Sequence, residues 1–170
     1  FSGAFLYLSP TLPSVESLRQ VQLQIPLRVY SSDAKLIAEF GEMRRSPIRF
    51  DEIPKAFISA LLAAEDDNFA NHYGVDVTSL MRAATQLLKS GQIQSGGSTI
   101  TMQVAKNFFL TSERSFSRKA TEILLALQIE RELSKDEILE LYVNKIYLGN
   151  RAYGIEAAAH VYYGKSMREL

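Results

Sequence analysis

The chain has no cysteine and no tryptophan among its 170 residues, and only two histidines, His72 and His160. The first absence excludes disulfides and thiolate metal sites, although it does not fix a compartment. Two imidazoles are too few for a histidine-rich metal site. An excess of one charge sign is missing as well: 19 Lys and Arg meet 19 Asp and Glu, for a formal net charge of zero. No whole-molecule field draws the protein to nucleic acid, and no nucleic-acid partner is expected. Internal repeats and low-complexity segments are absent. The apolar opening, Phe1-Ser2-Gly3-Ala4-Phe5-Leu6-Tyr7-Leu8, is far shorter than the ~20 residues of a spanning helix. It reads either as a segment packed on the domain or as the last turns of a membrane helix. Its aromatic residues, like an interfacial belt, favour the second.

What is present is a chain of single-domain size, 46% hydrophobic and able to bury a core. Residues 1–10 are set apart as the end of an anchor or a packing segment, and 11–50 as a linker with a small β region. In the latter, Pro13 sits in a stretch with a short helix expected near Ser14–Leu18. Leu27–Tyr30 and Leu36–Phe40 flank a polar connection and predict a β-hairpin; Pro47–Phe50 is a candidate third extended piece.

From residue 51 to 170 the pattern is helical. Pro54 suits a first helical turn, followed by the stripe Phe57, Ile58, Leu61 and Leu62. Asp76 is a candidate N-cap for Val77–Ser90, and Ser98 for a helix from Thr99 to about Phe108. A central helix follows Ser117; its middle, Ile123-Leu124-Leu125-Ala126-Leu127, predicts burial on most sides. Ser134 and Glu137 form a capping box for a helix through Ile146, ended by Gly149. Arg151–Gly154 reads as a turn, and Ile155–Tyr163 as an alanine-rich helix closed by Gly164. The fold class is mainly α with a small N-terminal β-hairpin.

Three groups of polar residues stand out. Glu65-Asp66-Asp67 ends a helix, where carboxylates face the negative end of the macrodipole. Such a broken local rule marks either a functional site or a solvated acidic turn. Thr99, Gln103 and Lys106 follow i, i+4, i+7 and share a helix face, which is either a polar lining or a wetted surface. Arg118, Lys119 and Glu122 open the central helix, as an exposed ion pair or as part of a cleft. Two glutamates on separate helices suit chemistry at a sugar anomeric centre. Lys106, Arg114, Arg118 and Lys119 exceed the needs of a neutral sugar and suit a diphosphate leaving group.

The order of motifs then carries a resemblance. Glu65-Asp66-Asp67-Asn68-Phe69-Ala70-Asn71-His72-Tyr73-Gly74 resembles the first signature of the peptidoglycan glycosyltransferases, E-D-x-x-F-x-x-H-x-G. Gly97-Ser98-Thr99-Ile100-Thr101-Met102-Gln103 is similar to the second, G-x-S-T-I-T-Q-Q. Arg118-Lys119-Ala120-Thr121-Glu122 is similar to the third, R-K-x-x-E. Lys135 to Gly149, including Ile138-Leu139-Glu140-Leu141-Tyr142-Val143-Asn144, resembles the fourth, and Arg151-Ala152-Tyr153-Gly154-Ile155 the fifth. The chain as a whole is similar to the N-terminal half of class A penicillin-binding proteins of Gram-negative bacteria.

The resemblance implies a lysozyme-like, two-lobed helical fold that polymerises lipid II into glycan strands. It implies Glu65 as general base and Glu122 as its partner near the departing diphosphate. Lys106, Arg114, Arg118 and Lys119 are implied as the clamp, and Ser98, Thr99 and Gln103 as the donor site. Asp66, Phe69, His72 and Asn144 are expected to support the site, His72 as a turn residue bonding backbone. A divalent cation, magnesium or manganese, is allowed at the diphosphate without being required. The implied partners are lipid II, the growing glycan, the cytoplasmic membrane and other cell-wall synthesis proteins. The implied location is the periplasmic side of the inner membrane, on a single-pass anchor, with a transpeptidase half expected after Leu170. Met81–Lys89 with Phe108-Phe109-Leu110 corresponds to a lobe dipping toward lipid, or else to plain core. Met102 departs from the signature, where the family has a first glutamine; it falls about 100° around the helix from Gln103. The rival readings are a lysozyme-like hydrolase or lytic transglycosylase, and a non-catalytic, membrane-tethered binding module.

Overall fold

The computed structural model describes residues 14, 15, 18, 27–33, 36–40, 44, 45, 47–90, 97–110 and 116–170. The segment 1–10, the loop Gln92–Gly96 and the candidate clamp residue Arg114 lie outside them. Among the described residues, β1 (Leu27–Tyr30) and β2 (Leu36–Phe40) form the expected antiparallel hairpin, with Leu27 opposite Phe40 and Val29 opposite Ala38. The third strand is not Pro47–Phe50. It is β3 (Arg44–Arg45), paired in parallel with β4 (Ala152–Tyr153). Phe50–Glu52 instead winds into a 3-10 turn, closed by the Glu52 carboxylate accepting from the Arg49 N–H at 2.9 Å.

Six α-helices follow among the described residues: α1 (Lys55–Glu65), α2 (Val77–Ser90), α3 (Ile100–Phe109), α4 (Phe116–Glu132), α5 (Lys135–Lys145) and α6 (Ile155–Tyr163). The mainly α class is therefore borne out. Pro54 stands one place before α1, as its N-cap residue rather than in the first turn. Asp76 caps α2 by accepting from the Thr78 N–H at 2.9 Å. Thr99, not Ser98, caps α3: its hydroxyl accepts from the Met102 N–H at 3.1 Å. The capping box at Ser134 and Glu137 forms as read. Its helix ends at Lys145, before the turn where Asn150 and Arg151 take φ of 46° and 61°. That turn spans Gly149 to Ala152, so Ala152–Tyr153 leaves it as a strand instead of making a turn.

Among the described residues α3 is more enclosed than the central α4. Ile100, Met102, Val104 and Ala105 of α3 are all buried because α4 and α5 both lie against it. On α4 burial follows one face, Glu122, Leu125, Ala126 and Ile129, while Leu127 is 42% exposed. A four-turn helix with one apolar face needs only that face covered. The same core takes in Val15, Leu18 and Ile48, so part of the stretch read as a linker packs with the helices. Phe108, Phe109 and Leu110 also lie against this core, whereas Val77 and Met81 on α2 are each 65% exposed.

Two side chains of α5 fix the approach to α1. The Asn144 amide clasps the backbone of Ile48, accepting from its N–H and donating to its C=O, both at 2.8 Å. Glu140 accepts from the Phe50 N–H at 2.8 Å. Buried backbone groups that cannot reach water must find such partners. The clasp sets where α1 begins, and so where its last residue, Glu65, ends up.

Candidate active site

Glu65 closes α1 and is exposed; its neighbour Asp66 is the buried C-cap residue. The two adjacent carboxylates have opposite surroundings. Asp66 Oδ2 accepts from the Ile100 N–H at 3.0 Å, at the first residue of α3, and both its oxygens lie 3.0–3.1 Å from His72 Nε2. An acid at the unfavourable end of α1 therefore sits at the favourable, positive end of α3. Gly74 donates its N–H to His72 Nδ1 at 3.1 Å, so the ring proton is on Nε2 and is donated to Asp66. His72 bonds backbone, as expected, and Phe69 meets its ring edge-on at 6.0 Å.

The loop between Asp66 and α2 is held from three sides. Thr99 Oγ1 donates to the Gly74 C=O at 2.6 Å, and Lys135 Nζ to the His72 C=O at 2.7 Å. Lys135 also meets Glu130 Oε1 at 2.7 Å and lies 4.3 Å over the Phe69 ring. Thr101 donates to the same Glu130 oxygen at 2.7 Å. At Gly74, φ is 85° and a Cβ would meet the Ala126 carbonyl oxygen at 2.5 Å, so only glycine fits. Thr101, Glu130 and Lys135 were not singled out from sequence. Thr101 and Lys135 fall inside the signatures, but nothing local says that they face one another.

Glu65 faces a polar cleft of about 370 Å³, also lined by Asp67, Asp76, Arg82, Ser98 and Thr99. Its Oε2 accepts from Gln103 Nε2 at 3.0 Å. On the far side of Ser98 the chain of contacts continues: Lys119 Nζ donates to Ser98 Oγ at 2.7 Å and to Glu122 Oε1 at 2.5 Å. Glu122 is 2% exposed, while Lys119 and Ser98 are half-buried. A carboxylate this buried needs a cation, and Lys119 supplies it from the adjoining turn. Asp76 is also ionised: hydrogen bonds from Ser79, then Thr78, hold its carboxyl down at about 2. Met102 is fully buried and away from the cleft, so the departure from the signature leaves the polar face intact.

The structure thus brings Glu65 together with Gln103, and Ser98 with Lys119 and Glu122. Thr99 lines the cleft but spends its hydroxyl on capping α3 and on Gly74. Lys106 is half-buried one turn beyond Gln103. Tyr142 was read only as part of a helix, yet its hydroxyl donates to Gln103 Oε1 at 3.4 Å. Burial, and then the charge of Glu65, push its pKa up to about 12.

A helical domain with an exposed acid at a polar cleft, beside a buried acid paired to lysine, is equipped for proton transfer and for stabilising negative charge. The chain belongs to the Transglycosylase family, whose sequence profile matches residues 33–170. It is 82% identical over 170 residues to penicillin-binding protein 1A of Pseudomonas aeruginosa, covering 100% of this chain and 21% of that protein. To penicillin-binding protein 1A of Escherichia coli it is 52% identical over 168 residues, covering 99% of this chain and 20% of that protein. The crystal structure of penicillin-binding protein 1A from Haemophilus influenzae aligns at 27% identity with a TM-score of 0.32, over 88% of this chain and 13% of that one. The chain spans about a fifth of the length of these curated relatives.

Proposed function

We propose that this domain polymerises lipid II into β-1,4-linked glycan strands, with Glu65 as general base. The observation that carries the reading is the contrast between its two glutamates. Glu65 is exposed at the cleft with one oxygen held by Gln103, leaving Oε1 to accept a proton. Glu122 is buried and paired to Lys119, which suits electrostatic support better than proton exchange with solvent.

In the proposed reaction the acceptor sugar's 4-hydroxyl gives its proton to Glu65 as its oxygen attacks C1 of the donor. The C1–O bond to the diphosphate breaks, configuration at C1 inverts, and undecaprenyl diphosphate leaves with the bonding electrons. Lys119 Nζ, already between Ser98 and Glu122, is a cation available to the departing oxygens. Arg118, Lys106 and Arg114 complete the clamp in this reading, and Ser98, Thr99 and Gln103 line the donor side. Among the described residues no three histidine, aspartate or glutamate side chains gather to hold a metal ion. A resident metal centre does not fit them; magnesium or manganese would enter as the diphosphate's companion, and no step here runs through it.

Among the described residues no helix is long and apolar enough to cross a membrane. We place the domain at the outer face of the cytoplasmic membrane because its proposed substrate is lipid-linked. A glycan hydrolase remains the rival for this pair of acids, and the test separates the two. Labelled lipid II is incubated in detergent with the full chain, beside Glu65→Gln and Glu122→Gln. Glycan strands from wild type and none from Glu65→Gln are expected. Normal polymerisation by Glu65→Gln would remove the base assignment, and shortening of preformed glycan by wild type would establish the hydrolase.

A further inference from the structure

We propose that Tyr142 is a positioning residue for this reaction: through the amide of Gln103 it fixes the Glu65 carboxylate in its proton-accepting orientation. The inference rests on the transferase reading of the cleft.

Three helices contribute one residue each. Tyr142 of α5 is 1% exposed, with its ring in the core. Its hydroxyl donates to Gln103 Oε1 at 3.4 Å, and Gln103 Nε2 of α3 donates to Glu65 Oε2 at 3.0 Å, at the end of α1. The carboxylate end selects the orientation of the amide between them. A carboxylate only accepts, so it requires the NH2 end; the amide oxygen is then turned to Tyr142, whose hydroxyl serves as the donor. Flipping the amide would set its oxygen against the carboxylate.

Glu65 needs such a tether. It is the last residue of its helix, exposed, with a flexible side chain that can turn into solvent. Gln103 is itself half-buried and long, and a single bond to Glu65 would leave it free to follow that motion. Tyr142 is different in kind, because its ring is fixed by the core on all sides. Its role as donor is also constant, since burial and the nearby charge of Glu65 keep its proton on up to about pH 12. The core therefore reaches the cleft through one hydroxyl. Loss of that hydroxyl is expected to slow the chemical step while leaving substrate binding alone.

The test measures kcat and KM for lipid II with the full chain in detergent, for wild type, Tyr142→Phe, Gln103→Ala and the double variant. Phenylalanine keeps the ring that fills the core, and the thermal midpoint is followed for all four. Tyr142→Phe is expected to lower kcat about three- to tenfold at unchanged KM. In the Gln103→Ala background the same change is expected to do nothing further, because the element it acts through is gone. Wild-type kcat in Tyr142→Phe, an equal loss in both backgrounds, or a loss that merely follows a fallen midpoint would overturn the proposal. A wild-type chain that makes no strands strikes the transferase reading itself, whereas failure of the relay shows only among variants of an active wild type.

Discussion

Two polar clusters meet along α3, and they use the same kinds of residue to opposite ends. On one side Asp66, His72, Thr101, Glu130 and Lys135 close on one another and on the backbone of Gly74 and Ile100. On the other, Glu65 and Ser98 line a cleft, and half-buried Gln103 and Lys119 are bonded to them. In the first, each carboxylate is matched by donors from the protein itself, Asp66 by His72 and the Ile100 N–H, Glu130 by Thr101 and Lys135. In the second, Glu65 takes one bond from the protein and Lys119 two, leaving donors and acceptors for a substrate. A closed network holds the loop in place; an open one can do chemistry. Adjacent positions in sequence, Glu65 and Asp66, fall on the two sides.

The comparison predicts that substitutions separate by what they damage. The largest effect on activity is expected at Glu65. Glu65→Gln should cut polymerisation by about 10²–10⁴, the usual contribution of a general base, with the thermal midpoint unmoved. A fall in midpoint as large as that of an Asp66 variant would erase the distinction between the clusters. Asp66→Asn keeps the shape but weakens charge-assisted bonds to His72 and to the first turn of α3. It is expected to cost about 2–3 kcal/mol in urea unfolding, mainly through stability rather than through the chemical step.

Lys135→Met tests the closed cluster from its cationic side, removing the donor to His72 and Glu130 while keeping an apolar stem over Phe69. About 2 kcal/mol of stability should be lost, because Glu130 loses its cation and is left with the Thr101 hydroxyl as donor among the described residues. No loss would mean that water replaces the ammonium and that the cluster is not closed. The smallest effect is expected at the rim of the cleft. Asp76→Ala removes the cap of α2 and should cost about 1 kcal/mol near neutral pH. Because the folded state holds Asp76 at about 2, below its ordinary 3.8, the wild-type contribution is complete above 3.8 and lost as pH falls through about 2. Stability curves of wild type and variant should therefore converge between those values; parallel curves would contradict the capping role.

The helices were legible because each is written in local terms. Apolar stripes, the cap at Asp76, the capping box at Ser134 and the stop at Gly164 are properties of neighbouring residues, and all of them formed. The errors fall where partners come from elsewhere in the chain. Pro47–Phe50 looked extended, but Asn144 and Glu140 of α5 hold that segment, and the strand partner of β4 is Arg44–Arg45. Burial was assigned to the wrong helix because composition favours the leucine-rich α4. Only the arrangement of three helices shows that α3 lies between the others.

The sequence by itself determined the helices, the family and the list of acids and cations from which the site is drawn, since spacing along one chain records them. Tertiary structure alone decided which acids at the cleft are tied to the protein and which stay exposed. Asp66 is turned inward by the free N–H at the start of α3, a residue 34 positions away. Glu122 is buried by its position on the inward face of α4, where Lys119 pairs with it. Tyr142 reaches Gln103 across 39 positions, and hydrogen bonds at that separation depend on how helices cross, which no local pattern encodes.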